Sequence, residues 1–305
     1  MKFIIIVIGI LLLQRMGSLS QLQRDGWYRQ WTVCVQKQKW LGSIPYIKLL
    51  ISLLVPLFVL VGALLLLDNH WFGVPVFVLS FLVFLYSLGR GNLEEDIEGY
   101  REDLKRDDLQ AAYHDAAEFN VTKEVGVSEN WSELHDEVVG ALSYRYFERY
   151  FAVIFWFVLA GAPGALLYRL LILHSEIAVN GHDEGDSQRI QHGLHLMEWL
   201  PVRLMGLSLA FVGNFTACLE SLRASLLSGS ISTLSAIRCY VLAALASGSI
   251  KTISEGAIEE KVEEQIEETL SIKNEAETEV TEIRALFSRA LMLALCLVAF
   301  LIILL

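Results

Sequence analysis

The residues able to do chemistry in this chain gather between positions 161 and 203. Pro163, in Gly161-Ala162-Pro163-Gly164, has no amide hydrogen to give the carbonyl of Leu159, and the glycines beside it open the backbone to whatever approaches. At membrane depth, freed backbone groups must be buried in protein or face a polar cavity. Gly161, Pro163 and Gly164 are therefore either a binding element or a proline kink packed through small residues. Tyr168 and Arg169 follow on the same run, where the cation either serves a site or reaches the headgroups from near the end of the run. Glu198, Trp199, Pro201 and Arg203 form a second group. Glu198 is the nearby counter-charge for Arg203, and Trp199 offers a ring for a cation–π contact. Pro201 suits the first turn of a helix running to about Asn214, short for a full span and so a half-helix or an interfacial one. We expect Pro163, Arg169 and Arg203 to belong to one functional surface.

Other chemistry is sparse. His174, His182, His192 and His195, with Asp183, Glu184 and Asp186, are the one metal-like cluster, and His192 and His195 stand at a helical i, i+3 spacing. A polar loop beside a membrane collects such residues anyway, so no metal site and no cofactor are assigned. Cys34, Cys218, Cys239 and Cys296 make no CxxC pair and read as packing residues. No phosphate-binding loop, zinc-protease helix, nucleophile elbow or dinucleotide fingerprint is present, so no catalytic residue is assigned.

The elements that must position these residues are set by hydropathy. With 54% hydrophobic and 19% charged residues, most of the charge in two blocks, the 305-residue chain reads as a helical membrane protein and not as a secreted, fibrous or disordered one. Its net charge of −11 and lack of a clustered basic face argue against nucleic acid as a partner. Apolar runs over Ile47–Leu67, Trp71–Leu88, Phe151–Leu173 and Ala290–Leu305 predict spans, because about 20 helical residues cross a layer of roughly 30 Å. The first two form a hairpin through Asp68-Asn69-His70. Residues 2–13 read as a short uncleaved helix and not a signal peptide, because Arg15, Arg24, Arg29, Lys37, Lys39 and Lys48 stand against a single acid, and short basic flanks stay cytoplasmic. The hairpin then returns Gly89–Tyr150 to the cytoplasm. There Leu93, Ile97, Tyr100 and Leu104, at spacings of three and four, predict a helix with one apolar stripe among acids. In the acidic stretch Glu255–Glu282, Ile258, Val262, Ile266 and Leu270 give only a narrow stripe, which suits an exposed helix or, the reading favoured here, a partly disordered tether to the last span.

The expected fold is therefore all-α and polytopic, with about 4 to 5 transmembrane helices, one of them broken, and cytoplasmic helical segments. Its parts are the N-terminal helix, basic flank and hairpin (1–89), an acidic helical segment (90–150), a membrane core (151–214), a cytoplasmic segment with the acidic tether (215–289) and a C-terminal span (290–305).

Three stretches carry a family resemblance: Phe155-Trp156-Phe157, Gly161 through Arg169, and Leu196-Met197-Glu198-Trp199-Leu200-Pro201-Val202-Arg203-Leu204. The chain resembles the AmpE family of bacterial inner-membrane proteins, most closely over residues 144–213. The resemblance implies a membrane regulator linked to β-lactamase induction, antibiotic response and peptidoglycan recycling, with the lipid bilayer and the AmpD amidase pathway as partners. AmpE is related to the CobD and CbiB enzymes of cobalamin synthesis, which join an amine to a carboxylate. Those relatives carry a Gly-Asp-Pro/His-Pro element near the N-terminus and a Glu-Asn/Asp element ahead of the third span. Neither element occurs here, since the segment before Phe151 reads Ser143-Tyr144-Arg145-Tyr146-Phe147-Glu148-Arg149-Tyr150. The amide-forming enzyme stands as the alternative to a non-enzymatic regulator, and a small-molecule transporter as the third reading.

Overall fold

The computed structural model describes residues 1–16, 24–38, 45–68, 73–89, 93–106, 131–180, 184–227, 232–245 and 263–304. Among the described residues all regular structure is helical, which establishes a helical membrane protein. Three helices are long and apolar enough to cross a bilayer, over Ile47–Leu67, Glu137–Ala178 and Ala276–Phe300, and two apolar helices, Val74–Ser87 and Thr233–Leu245, are shorter.

The chain divides into two compact units. The first comprises Met1–Asn92, Glu148–Pro201 and Leu297–Leu305. It holds α1 (Lys2–Met16), α2 (Gly26–Lys37), α3 (Pro45–Leu67), α4 (Val74–Ser87) and α7 (Val153–Asn180). α4 packs along α7, α1 lies against both, and α3 and α2 complete the group. The N-terminal helix is thus part of the packed unit, with Ile5, Ile6, Ile10 and Leu13 buried. Phe84 and Phe157, both fully buried, meet with ring centroids 4.7 Å apart where α4 crosses α7. The expected second span is a helix of only 14 residues, because Gly73 in a left-handed conformation and Pro75 in the first turn set its start after Trp71, which lies outside the described residues.

The second unit comprises Leu93–Phe147 and Val202–Cys296. It contains α5 (Leu93–Arg106), α6 (Trp131–Tyr146), α9 (Phe215–Leu227) and α10 (Thr233–Leu245). In α5 the expected stripe is the buried face, since Leu93, Ile97, Tyr100 and Leu104 are all covered. Three acids in its first turn and Lys105 and Arg106 in its last complement the helix dipole. α10 packs between α6 and α9.

Two helices, α8 (Glu184–Val212) and α11 (Glu263–Leu304), contribute to both units. Each corrects an expectation. The polar segment expected as a loop is helical over 174–180 and 184–195, because α7 runs on to Asn180 and α8 begins at Glu184. Pro201 lies inside α8 and does not open a short helix. Buried Ile190 and Leu194 anchor the helix before it and buried Val202, Met205 and Leu209 after it, which outweighs the one backbone bond that proline removes. The acidic stretch is likewise no tether from Glu263 onward, since it is continuous with the final span in one helix of 42 residues. Side chains of this helix dock on the second unit. Glu277 pairs with Arg101 at 2.7 Å and Lys105 at 3.2 Å, Glu279 with His135 at 3.1 Å, and Arg284 with Glu94 at 2.5 Å. Ile258 and Val262 lie outside the described residues.

Candidate functional site

The site grows from the break in α7. Pro163 cannot donate, and its ring crowds the preceding turn, so the chain must leave helical geometry just before it. It does so at Gly161, whose φ of 72° and ψ of −158° only glycine adopts without strain. At Gly164 the constraint is space, because a Cβ there would stand 2.6 Å from the carbonyl oxygen of Trp156 and 2.7 Å from the Cβ of Ala160. The break frees carbonyls of the preceding turn, and the ammonium of Lys2 on α1 donates to the carbonyl of Val158 at 3.0 Å. The Gly161–Gly164 element is thus a proline kink packed through small residues, capped by a cation from another helix.

Arg169 lies on the far side of the kink. It does not reach outward to the headgroups. Its side chain is 3% exposed and is held between two buried carboxylates, Asp25 at 3.2 Å and Glu148 at 3.5 Å. Asp25 directly precedes α2, while Glu148 lies in a π-helical turn, Phe147–Ala152, that joins α6 to α7. Around Asp25 the polar chain continues, since Tyr86 Oη donates to Asp25 Oδ1 at 3.1 Å and Trp27 Nε1 donates to Tyr86 Oη at 3.1 Å. Asp25 therefore has a donor on each oxygen, Arg169 on Oδ2 and Tyr86 on Oδ1. Glu148 differs, because its Oε2 is buried with no hydrogen-bond partner among the described residues, as is Arg169 Nε. A few residues along α7, His174 Nδ1 lies 3.0 Å from the hydroxyl of Tyr28. Burial pushes the Tyr28 hydroxyl well above its ordinary range, which keeps it neutral beside the imidazole.

Tyr168 points to a third buried carboxylate, donating to Glu198 Oε1 at 3.0 Å. Glu198, expected as the counter-charge of Arg203, thus has this phenol as a partner, and both residues are buried. Trp199 is half-exposed and Pro201 buried, both in the first unit with Gly161, Pro163, Gly164, Tyr168 and Arg169. Arg203 belongs to the second unit, within electrostatic reach of Tyr240. Of the metal-like cluster, His182 and Asp183 lie outside the described residues, and His174 is taken up by Tyr28.

Sequence reasoning missed Asp25 and Glu148 as partners of Arg169. A signal for Asp25 was present, because it is the single acid in the basic stretch from Arg15 to Lys48. Glu148 carried a similar signal, since it is the single acid between Glu137 and Glu176.

Comparison with known proteins gives a consistent result. A family model described as "Regulatory signalling modulator protein AmpE" matches residues 9–268. Protein AmpE of Shigella flexneri is 28% identical over 160 residues, covering 51% of this chain and 56% of that protein. The chain thus spans about half the length of the curated relative it matches. No solved structure matches.

Proposed function

The chain belongs to the AmpE family, and we propose that it acts as a multi-pass regulator of the bacterial inner membrane that modulates β-lactamase induction through peptidoglycan recycling. The observation that carries this reading is the match to a regulatory signalling family over residues 9–268. The buried Asp25–Arg169–Glu148 cluster supports a functional centre in the same chain, since ionised groups in an apolar helical unit are costly and are kept where they serve a purpose. In this reading the basic flank, Gly89–Tyr150 and Ser228–Glu282 face the cytoplasm, where the AmpD amidase pathway operates.

The test is induction of β-lactamase in a strain that depends on this protein, comparing wild type, a deletion and Arg169→Ala and Arg203→Ala variants that accumulate normally in the membrane. The expected result is that the deletion and Arg169→Ala alter induction. Unchanged induction in both the deletion and the variants removes the regulatory reading. A periplasm-active reporter that functions when joined just after Arg106 would reverse the orientation.

A further inference from the structure

We propose that Glu148 Oε2 is a binding site for one small monovalent cation, a proton or a sodium ion, and that its occupancy is sensed by the π-helical turn that carries Glu148. It deepens the reading of this cluster as the functional centre, but its readouts are physical, so it can fail while the regulatory role stands, and the reverse.

The inference begins with an asymmetry between the two carboxylates. Arg169 supplies one positive charge to Asp25 and Glu148 together. Asp25 has the shorter contact and a tyrosine hydroxyl on its other oxygen, so it is the settled partner of the arginine. Among the described residues Glu148 has one ion-pair contact, at 3.5 Å, and an oxygen that is wholly covered with nothing bonded to it. A buried carboxylate oxygen left without a partner is costly, and a single added positive charge on that oxygen removes the cost.

The surroundings fit a cation better than any other ligand. The ionisable groups facing the cluster are Asp25 and Tyr28 from the α2 side, Tyr86 from α4, and Arg169 and His174 from α7. The neighbouring Arg149 holds its guanidinium 6.0 Å from the centre of the Tyr150 ring. An anion would meet two carboxylates sharing one arginine, whereas a small cation meets the one oxygen that lacks a donor. The second, independent sign is the backbone at this point. A π-helical turn occupies residues 147–152 ahead of α7, and such turns mark places where a helix changes register around a site. Cation arrival at Glu148 weakens its hold on Arg169 and leaves that arginine to Asp25, while departure restores the shared pair. The turn is thereby biased between two arrangements by one charge.

The experiment uses the full chain in lipid nanodiscs. Thermal unfolding midpoints are measured for wild type and Glu148→Gln from pH 5 to 8, in sodium chloride and in choline chloride. The amide of Glu148→Gln mimics the neutralised carboxyl. Proton occupancy makes the wild-type midpoint rise, relative to the variant, as pH falls. Sodium occupancy makes it rise with sodium at constant ionic strength, by on the order of a few degrees. Glu148→Gln abolishes the dependence in either case. Infrared difference spectra separate the sources, because a proton gives the carbonyl stretch of a neutral carboxylic acid, lost in Glu148→Gln, and sodium does not. If Glu148→Gln fails to fold, the wild-type arms still decide. A wild type with neither a neutral-acid band nor a sodium-dependent midpoint overturns the proposal, as does a dependence that survives in Glu148→Gln.

Discussion

Removing the guanidinium of Arg169 leaves Asp25 and Glu148 as buried carboxylates without their cation. Breaking a buried pair from one side costs about 3–5 kcal/mol, whereas truncating an exposed arginine costs within about 0.5 kcal/mol. Arg169→Ala should therefore lower the unfolding midpoint of the purified protein sharply, and Arg169→Lys should recover only part, because an ammonium lacks the fork that serves two carboxylates at once. A midpoint unchanged in Arg169→Ala would show an arginine in contact with solvent or headgroups. At Gly161 the positive φ with extended ψ predicts that Gly161→Ala costs roughly 1–3 kcal/mol, read as a fall in midpoint or in membrane accumulation. Cysteines give a third residue-scale test. Burial pushes the Cys218 thiol up to about 11, while Cys34 and Cys239 are exposed. A maleimide at pH 7 should label Cys34 and Cys239 and spare Cys218 in the folded protein, since the reactive thiolate of Cys218 becomes abundant only as pH rises towards about 11. Early labelling of Cys218 would place it at the surface.

At the scale of elements, the acidic half of α11 is held within the second unit by buried Ala276, Val280 and Ile283, with ion pairs added around them. Glu277 receives Arg101 and Lys105, Glu279 receives His135, and the imidazole of His135 also lies 3.4 Å from the Tyr100 hydroxyl. These groups are partly exposed, so the Arg101–Glu277 coupling is expected at about 0.5–1 kcal/mol and should weaken with salt. A double-mutant cycle on the pair measures it, with hydrogen exchange along residues 276–284 as the local readout. The Glu277→Lys change should speed exchange there, and adding Arg101→Glu should recover part of the protection. Exchange equally fast in wild type and variant would mean that the ion pairs do not dock the helix. The long helix also explains why the acidic stretch is poorly legible in sequence. Its apolar stripe is narrow, and the contacts that fix it come from α5 and α6, more than a hundred residues earlier in the chain.

For the whole molecule, the regulator and enzyme readings separate on one measurement. Forming an amide from a carboxylate requires acid and base groups that each contribute about 10²- to 10⁴-fold, and the elements that supply them in the CobD and CbiB relatives do not occur in this sequence. Expression in a cell lacking its own CobD or CbiB enzyme should leave cobalamin synthesis absent. Restored synthesis would promote the enzyme reading and set the regulator reading aside.

The sequence by itself determined what depends on neighbours along the chain. Apolar runs long enough to cross a bilayer mark α3 and the cores of α7 and α11 without reference to anything else. The spacing of Leu93, Ile97, Tyr100 and Leu104 likewise defines the buried face of α5. Gly161 and Pro163 mark the break because the proline ring acts on its own preceding turn. Only the tertiary structure decided which distant groups meet. Asp25 and Arg169 are 144 residues apart, and no periodicity links them. Whether Arg169 reaches the headgroups or is buried depends on whether a carboxylate is folded against it, which α2 and the π-helical turn decide together. Pro201 within α8 follows the same logic, since a proline ends a helix or sits inside it according to the packing on either side, and that packing is supplied by the rest of the fold.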